Sequence, residues 1–161
     1  MNRETLKRLT VGGILWTLIL GTASHFFYQW SGECFAVGLI APVNETVWEH
    51  LKLLFFPGLL FILGERIYLG ERGRDLFFRS LTGLWAGLAS MPLIYYSYTF
   101  FTGRNYLWAD IGIFFISVLI TFLVPWHLKD KMSGLREEKR NRIILLGLLL
   151  AFFSVSVIFM R

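Results

Sequence analysis

Five stretches of this 161-residue sequence are each apolar over a length that crosses a hydrocarbon layer in a helix. They are Leu9–Trp30, Val47–Leu69, Phe77–Phe101, Leu107–Leu128 and Ile143–Met160. A bilayer core ~30 Å thick needs about 20 such residues. Nothing in them alternates with the period of two that a β-barrel requires, and lipid forbids open sheet edges, so helices are the expected elements. Composition agrees: 55% of residues are hydrophobic and 17% charged, more apolar surface than a soluble domain of this size can hide. The single Cys34 excludes an internal disulfide framework. The expected fold is therefore all-α: one polytopic membrane domain over residues 1–161, a bundle of five transmembrane helices.

Charge gives the orientation. Arg3, Lys7 and Arg8 precede the first span, Arg66, Arg72, Arg74 and Arg79 surround the second connection, and Lys129, Lys131, Arg136, Lys139, Arg140 and Arg142 fill the fourth. The opposite side holds Arg104 and Arg161. The positive-inside rule then puts the N-terminus in the cytoplasm and the C-terminus outside. The same reasoning assigns the net charge of +5 to topology and not to nucleic-acid binding. The first span is too long and too aromatic for a cleaved signal peptide, and no small-x-small site ends it.

The connections differ in character. Residues Lys129–Arg142 read as a solvated loop with some helical tendency. Ser31–Val43 is mostly apolar, broken by Gly32, Gly38 and Pro42. It is too short to span and reads as an interfacial or re-entrant flap over the outer end of the bundle, buried by protein wherever it lies deep.

Polar residues collect at that end. Pro42 stops the flap, and Asn44 and Glu45 suit the cap and first turn of the second span, where the helix dipole favours a carboxylate. Glu49, His50 and Lys52 lie deeper, among Leu, Phe and Ile. At 100° per residue Glu45, Trp48, Glu49, Lys52 and Phe56 share one face, and His50 points about 100° away from Glu49. The first span brings His25, flanked by Thr22 and Gln29. The third brings Tyr95, Tyr96 and Tyr98 just past Pro92, and the fourth brings Asp110, continued by Ser117 and Thr121. Three carboxylates then face Lys52 and His25, and unpaired charge at depth costs at least ~2.5 kcal/mol per group. The favoured reading is an over-anionic pocket of His25, Glu45, Trp48, Glu49, Lys52, Tyr95 and Asp110, with His50, Gln29 and Tyr96 nearby. The alternative is a structural polar knot. A divalent metal on His25, Glu49 and Asp110 is a further alternative cofactor site.

The third span also carries Ser80, Gly83, Gly87 and Ser90 at three- and four-residue spacing. Such a small-residue stripe lets another helix approach closely. A neighbour in the same chain is expected before a second protomer. His127 reads as an interfacial anchor, and Glu65 with Arg66 as the inner boundary of the second span. The sequence has no Walker A, GxGxxG, GxSxG, HExxH or CxxC motif, and no internal repeat of the kind that builds inverted-repeat transporters.

The run His25-Phe26-Phe27-Tyr28-Gln29-Trp30, followed by Val43-Asn44-Glu45-Thr46-Val47-Trp48-Glu49-His50-Leu51-Lys52, resembles a family of small bacterial multi-pass membrane proteins of unknown function with an NE-x-VWEHLK pattern. The likeness covers most of the first two spans. It implies a bacterial inner-membrane protein, carries no mechanism, and draws attention to His25, Glu45, Glu49, His50 and Lys52.

Three functions are open to such a chain. The first is binding or transport of a small cationic or amphipathic ligand in the outer pocket. The second is a membrane-embedded enzyme acting on a lipid or lipid-linked substrate, with Glu49 or Asp110 as base and His25 as acid. The third is a structural role with no ligand. The expected partners are the lipid bilayer and a second copy or another membrane subunit. The charge argument is tested by topology reporters: one inserted beside Gly134 is expected to read as cytoplasmic and one after Arg161 as external. The reverse result at Gly134 would overturn the assigned orientation.

Overall fold

A computed structural model describes residues 2–128 and 138–159. Most of the fourth connection, together with Met160 and Arg161, lies outside the described residues. Within them the chain is helical and contains no strand. It comprises α1 (Arg3–Ser24), α2 (Phe27–Trp30), α3 (Phe35–Gly38), α4 (Val47–Leu69), a 3-10 turn at Gly70–Gly73, α5 (Arg74–Thr102), α6 (Leu107–His127) and α7 (Glu138–Phe159). Five long helices therefore stand where the five apolar stretches predict them. Two of these, Val47–Leu69 and Leu107–His127, are long and apolar enough over their described residues to cross a membrane by length and composition.

Boundaries move for local reasons. The first helix starts at Arg3, because Asn2 Oδ1 accepts a hydrogen bond from the Glu4 N–H and caps it. It stops at Ser24, not Trp30. The His25 and Phe26 N–H groups turn to the Thr22 and Ala23 carbonyls, three residues back, and Ser24 Oγ donates to the Gly21 carbonyl. The chain then reverses through Gly32 and Glu33, both at positive φ. At the start of α4 the cap is Thr46 and not Asn44: Thr46 Oγ1 accepts from the Glu49 N–H at 3.4 Å. Asn44 Oδ1 instead accepts from Thr46 N–H and Oγ1. Glu45 consequently precedes the helix and does not share its face with Glu49.

Around the bundle the order is α1, α4, α5, α6, with α6 closing back on α1. α7 docks on α4 through Phe152, whose ring stacks on Phe55 at 4.1 Å and lies 4.8 Å from that of Trp48. The buried faces are unusual in what they contain. α1 turns Thr10, Gly13, Thr17, Gly21 and Ser24 inward and leaves Val11, Leu15 and Ile19 outside. α5 buries Ser80, Gly83 and Gly87 while Leu93, Phe100 and Phe101 are exposed, the last at 85%. These small residues lie beside an apolar core that includes Leu54, Phe55, Ile62, Leu84, Leu88 and Val118, and many other large apolar residues face outward.

Prolines and glycines set the closest approaches. Pro57, Pro92 and Pro125 lie inside α4, α5 and α6, and a proline has no N–H to offer the carbonyl four residues back. Leu53 and Thr121 therefore lose their helical donors to Pro57 and Pro125. Both freed carbonyls are covered by a glycine of a neighbouring helix. A Cβ on Gly21 of α1 would sit 2.5 Å from the Leu53 oxygen, and one on Gly83 of α5 would sit 2.1 Å from the Thr121 oxygen. Gly87 meets Thr121 Oγ1 and the Ser117 carbonyl in the same way, and Ser90 Oγ bonds Ser117 Oγ at 3.0 Å. The small-residue stripe thus faces α6 of its own chain, and Ser117 and Thr121 are spent on that contact. Trp16 Nε1 donates to the Pro57 carbonyl and Trp126 Nε1 to Thr10 Oγ1, fixing α1 against α4 and α6.

At the other end Glu65 is buried and bonded by Ser80 Oγ, so it lies inside the bundle and does not mark its edge. His127 is exposed there, its Nδ1 3.3 Å from the Leu123 carbonyl. In the turn, Arg74 and Arg66 hold the Glu71 carboxyl below the usual carboxylate range. Gly83→Ala is expected to lower thermal stability by about 1–3 kcal/mol through overpacking against Thr121. Ala89→Leu, on the exposed face of the same helix, is expected to leave it within about 0.5 kcal/mol. Thermal melts in detergent compare the two, and equal tolerance would remove the close contact.

Candidate functional site

The polar residues singled out in the sequence gather where α1 ends, α4 begins, α5 ends and α6 begins. The structure divides them into three groups. The first is sealed. Glu49 and Lys52 are both 0% exposed and pair at 2.7 Å across one helical turn. Lys52 Nζ also donates to the Gly38 carbonyl at 2.8 Å, and the same Glu49 oxygen accepts from the Val43 N–H at 2.9 Å. Gly38 and Val43 belong to the apolar flap, in which Ala41 and Pro42 are buried as well. Glu49 sits three residues after the Thr46 cap, where a carboxylate ordinarily turns back to the cap N–H; here it reaches past the cap to Val43. The pair therefore pins the flap onto α4. Glu49 Oε1 is enclosed with no hydrogen-bond partner.

The second group is half-open. Glu45, 79% exposed, lies between two imidazoles: its Oε1 is 3.5 Å from His25 Nε2 and its Oε2 3.3 Å from His50 Nε2. The two rings are 5.6 Å apart between centroids. His50 Nδ1 lies 2.9 Å from the Thr46 carbonyl, an i to i−4 contact that aims the ring away from Glu49. His50 is thus turned from Glu49 as its helical position requires, yet it joins a carboxylate all the same, because Glu45 has left the helix face.

The third group is Asp110, in the first turn of α6. Tyr98 Oη donates to its Oδ1 at 2.6 Å and accepts from the Tyr106 N–H at 3.3 Å. Between Asp110 and Glu45 lies a cavity of about 270 Å³, whose wall also includes His50, Tyr95 and Asn105. Leu53, Met91, Ile113 and Phe114 form its apolar side. A smaller cavity of about 90 Å³ lies beyond Glu45, lined among others by His25 and Gln29. Tyr96 faces outward, and Trp48 packs on Phe152 and lines neither cavity.

The metal alternative does not come together. Glu49 is closed off by Lys52, and among the described residues no group of three His, Cys, Asp or Glu is arranged to hold a metal ion. Sequence reasoning did not reach Asn105 or the backbone groups of Gly38 and Val43. No residue-level signal marks them, since a loop residue and two peptide groups acquire these roles only by position.

Breaking the sealed pair leaves one buried charge without its partner. Glu49→Gln is therefore expected to destabilise the chain by about 3–5 kcal/mol, the opposite of the relief expected from an over-anionic pocket. Glu45→Gln, four residues earlier and exposed, is expected to leave the melting temperature unchanged. Paired melts of the two variants decide it; a level or raised melting temperature for Glu49→Gln would refute the pin.

No curated protein and no solved structure matches the chain. A model of a family of unknown function (DUF6512) matches residues 1–160, and the chain belongs to that family.

Proposed function

We propose that the chain is a five-span bundle of the bacterial cytoplasmic membrane, with its N-terminus inside and its C-terminus outside, and that its outer cavity binds a small organic cation bearing an apolar portion. The many large apolar residues exposed along the helices, among them Ile19, Ile67, Phe100 and Trp108, support the membrane reading, as does the crowding of Lys and Arg at alternate connections. The same embedding makes the bilayer the chain's principal partner. With no internal repeat, carriage across the membrane would call for a second copy or another membrane subunit.

One observation carries the ligand class. The charged residues lining the 270 Å³ cavity are the carboxylates Glu45 and Asp110, with no Lys or Arg among the lining residues. The one lysine of α4, Lys52, is sealed against Glu49. The cavity keeps an excess of negative charge, while Leu53, Met91, Ile113 and Phe114 accept an alkyl group and Tyr95 offers an aromatic ring to a cation. Its volume lies near the lower end for ligand sites, which fits a small molecule. A purely structural role accounts for Glu49 and Lys52 but leaves this cavity without a purpose.

Calorimetric titration of the purified chain in detergent tests the reading, with n-butylammonium and n-butyrate as matched probes. The ammonium is expected to bind and the carboxylate not. Asp110→Asn is expected to weaken binding about tenfold or more, about 1.4 kcal/mol. Equal binding of both probes, or of neither, would sink the proposal.

A further inference from the structure

Glu65 is a buried carboxylate to which the chain brings no positive charge. It lies one turn before the inner end of α4 and is 6% exposed. Its hydrogen bond from Ser80 Oγ is long, at 3.5 Å. Basic residues stand close by in sequence, yet each turns elsewhere. Arg66 bonds the Gly70 carbonyl and Glu71, Arg74 bonds Glu71, and Arg79 Nε donates to the Asp75 carbonyl. Lys7 and Arg8 of α1 are exposed. No ion pair among the described residues includes Glu65. An anion so enclosed costs free energy until a cation meets it.

The carboxylate lines a groove of about 510 Å³ between α1 and α4, with Leu9 and Trp16 on one side and Leu60, Phe61, Gly64 and Tyr68 on the other. Trp16, Leu60 and Tyr68 are exposed, so the groove opens sideways from the bundle. Trp16 Nε1 is already spent on the Pro57 carbonyl, which leaves the walls apolar apart from Glu65. Gly64 contributes room. Gly21 and Gly83 sit where another helix leaves no space for a Cβ, whereas one on Gly64 would meet nothing within 4 Å. The groove also has a direction. Leu60 to Tyr68 spans about 12 Å along the helix axis, with Glu65 toward the inner end and Trp16 and Leu60 toward the middle of the layer.

We propose that this groove is a binding site for a single-chain ammonium amphiphile of the inner leaflet, with its charged head on Glu65 and its chain along Phe61, Leu60 and Trp16. The inference uses the membrane embedding proposed above and is independent of the outer cavity. Charge selects the head: a cation offsets the enclosed carboxylate, and an ammonium supplies N–H donors to its oxygens. The walls select the rest, because an apolar groove running along the helix receives a chain lying as the lipid chains lie. A zwitterionic lipid such as phosphatidylethanolamine fits less well, since its phosphate would find no Lys or Arg among the lining residues. Lipid tails wet such walls in any membrane; the carboxylate is what favours one occupant over them.

The test is photolabelling of the whole chain in phosphatidylcholine vesicles, with n-decylammonium carrying a diazirine at the end of its chain. Labelled peptides are expected to contain Trp16 or Leu60, at the chain end of the site. Excess n-decylammonium is expected to cut that labelling about tenfold, and n-decanol, with the same chain and no charge, to leave it. Glu65→Gln is expected to lower it about tenfold as well, with n-butylammonium titration of the outer cavity unchanged. Gly64→Leu, where a Cβ meets no neighbour, is expected to keep its melting temperature and lose the labelling. Labels found elsewhere in the chain, equal competition by n-decanol, or labelling undiminished in Glu65→Gln each overturn the proposal. Competition by added phosphatidylethanolamine equal to that by n-decylammonium assigns the groove to a bilayer lipid and overturns the single-chain occupant. A chain that does not enter the vesicles overturns the embedding and this proposal together. Failure of n-butylammonium to bind sinks the outer site and leaves this one standing.

Discussion

The buried pair between Glu49 and Lys52 holds the polar end of the molecule together. Removing two charges from solvent is costly, and their mutual attraction offsets that cost only with good geometry and further hydrogen bonds. The further bonds here come from the backbone of the flap, the Gly38 carbonyl and the Val43 N–H. The charges therefore specify where a mostly apolar, irregular segment must lie. Apolar contact alone would let that segment slide, since it has no direction; a carbonyl and an N–H aimed at two fixed charges do not slide. The Thr46 cap and Glu45 just before it lie between the pinned Val43 and Glu49.

A second constraint governs the body of the bundle. Beside the apolar core shared by α4, α5 and α6, the contact faces made of Gly, Ser and Thr depend on close backbone approach. The prolines of α4 and α6 leave the Leu53 and Thr121 carbonyls without helical donors, and Gly21 and Gly83 are where another helix comes near enough to cover them. Weak Cα–H···O contacts accompany such approaches. The arrangement also positions the site. Gly83 and Gly87 hold α5 on α6, so that Tyr98 reaches Asp110, while Gly21 holds the end of α1 beside α4, so that His25 reaches Glu45.

Charge balance at this end is resolved locally. The three carboxylates counted in the sequence do not share one pocket. Glu49 is neutralised by Lys52, Asp110 takes a proton donor from Tyr98, and Glu45 is left to two histidines at a cavity edge. On the proposed reading this separation matters, because a sealed stability element stands next to a carboxylate that is open to a ligand. Were Glu49 open to solvent, a ligand competing for it would loosen the flap.

Much of the fold was legible in the residues alone. Five apolar stretches announce five long helices, because a helix is the economical way to satisfy backbone groups within an apolar run, and the spacing of Ser80, Gly83, Gly87 and Ser90 announces a close contact. The concentration of His25, Glu45, Glu49, His50, Lys52 and Asp110 near one end could be read from helix direction and depth. The partners could not. A two-residue shift of the cap, to Thr46 from Asn44, lifts Glu45 off the helix face and hands it to His50. A peptide N–H and a carbonyl of the flap, invisible to any motif, close Glu49 and Lys52 away from solvent. Periodicity records which face a side chain occupies within its own helix. Only the tertiary structure decides which charge stands opposite it, because that depends on how loops between helices fold back, and backbone groups there carry no side-chain signature.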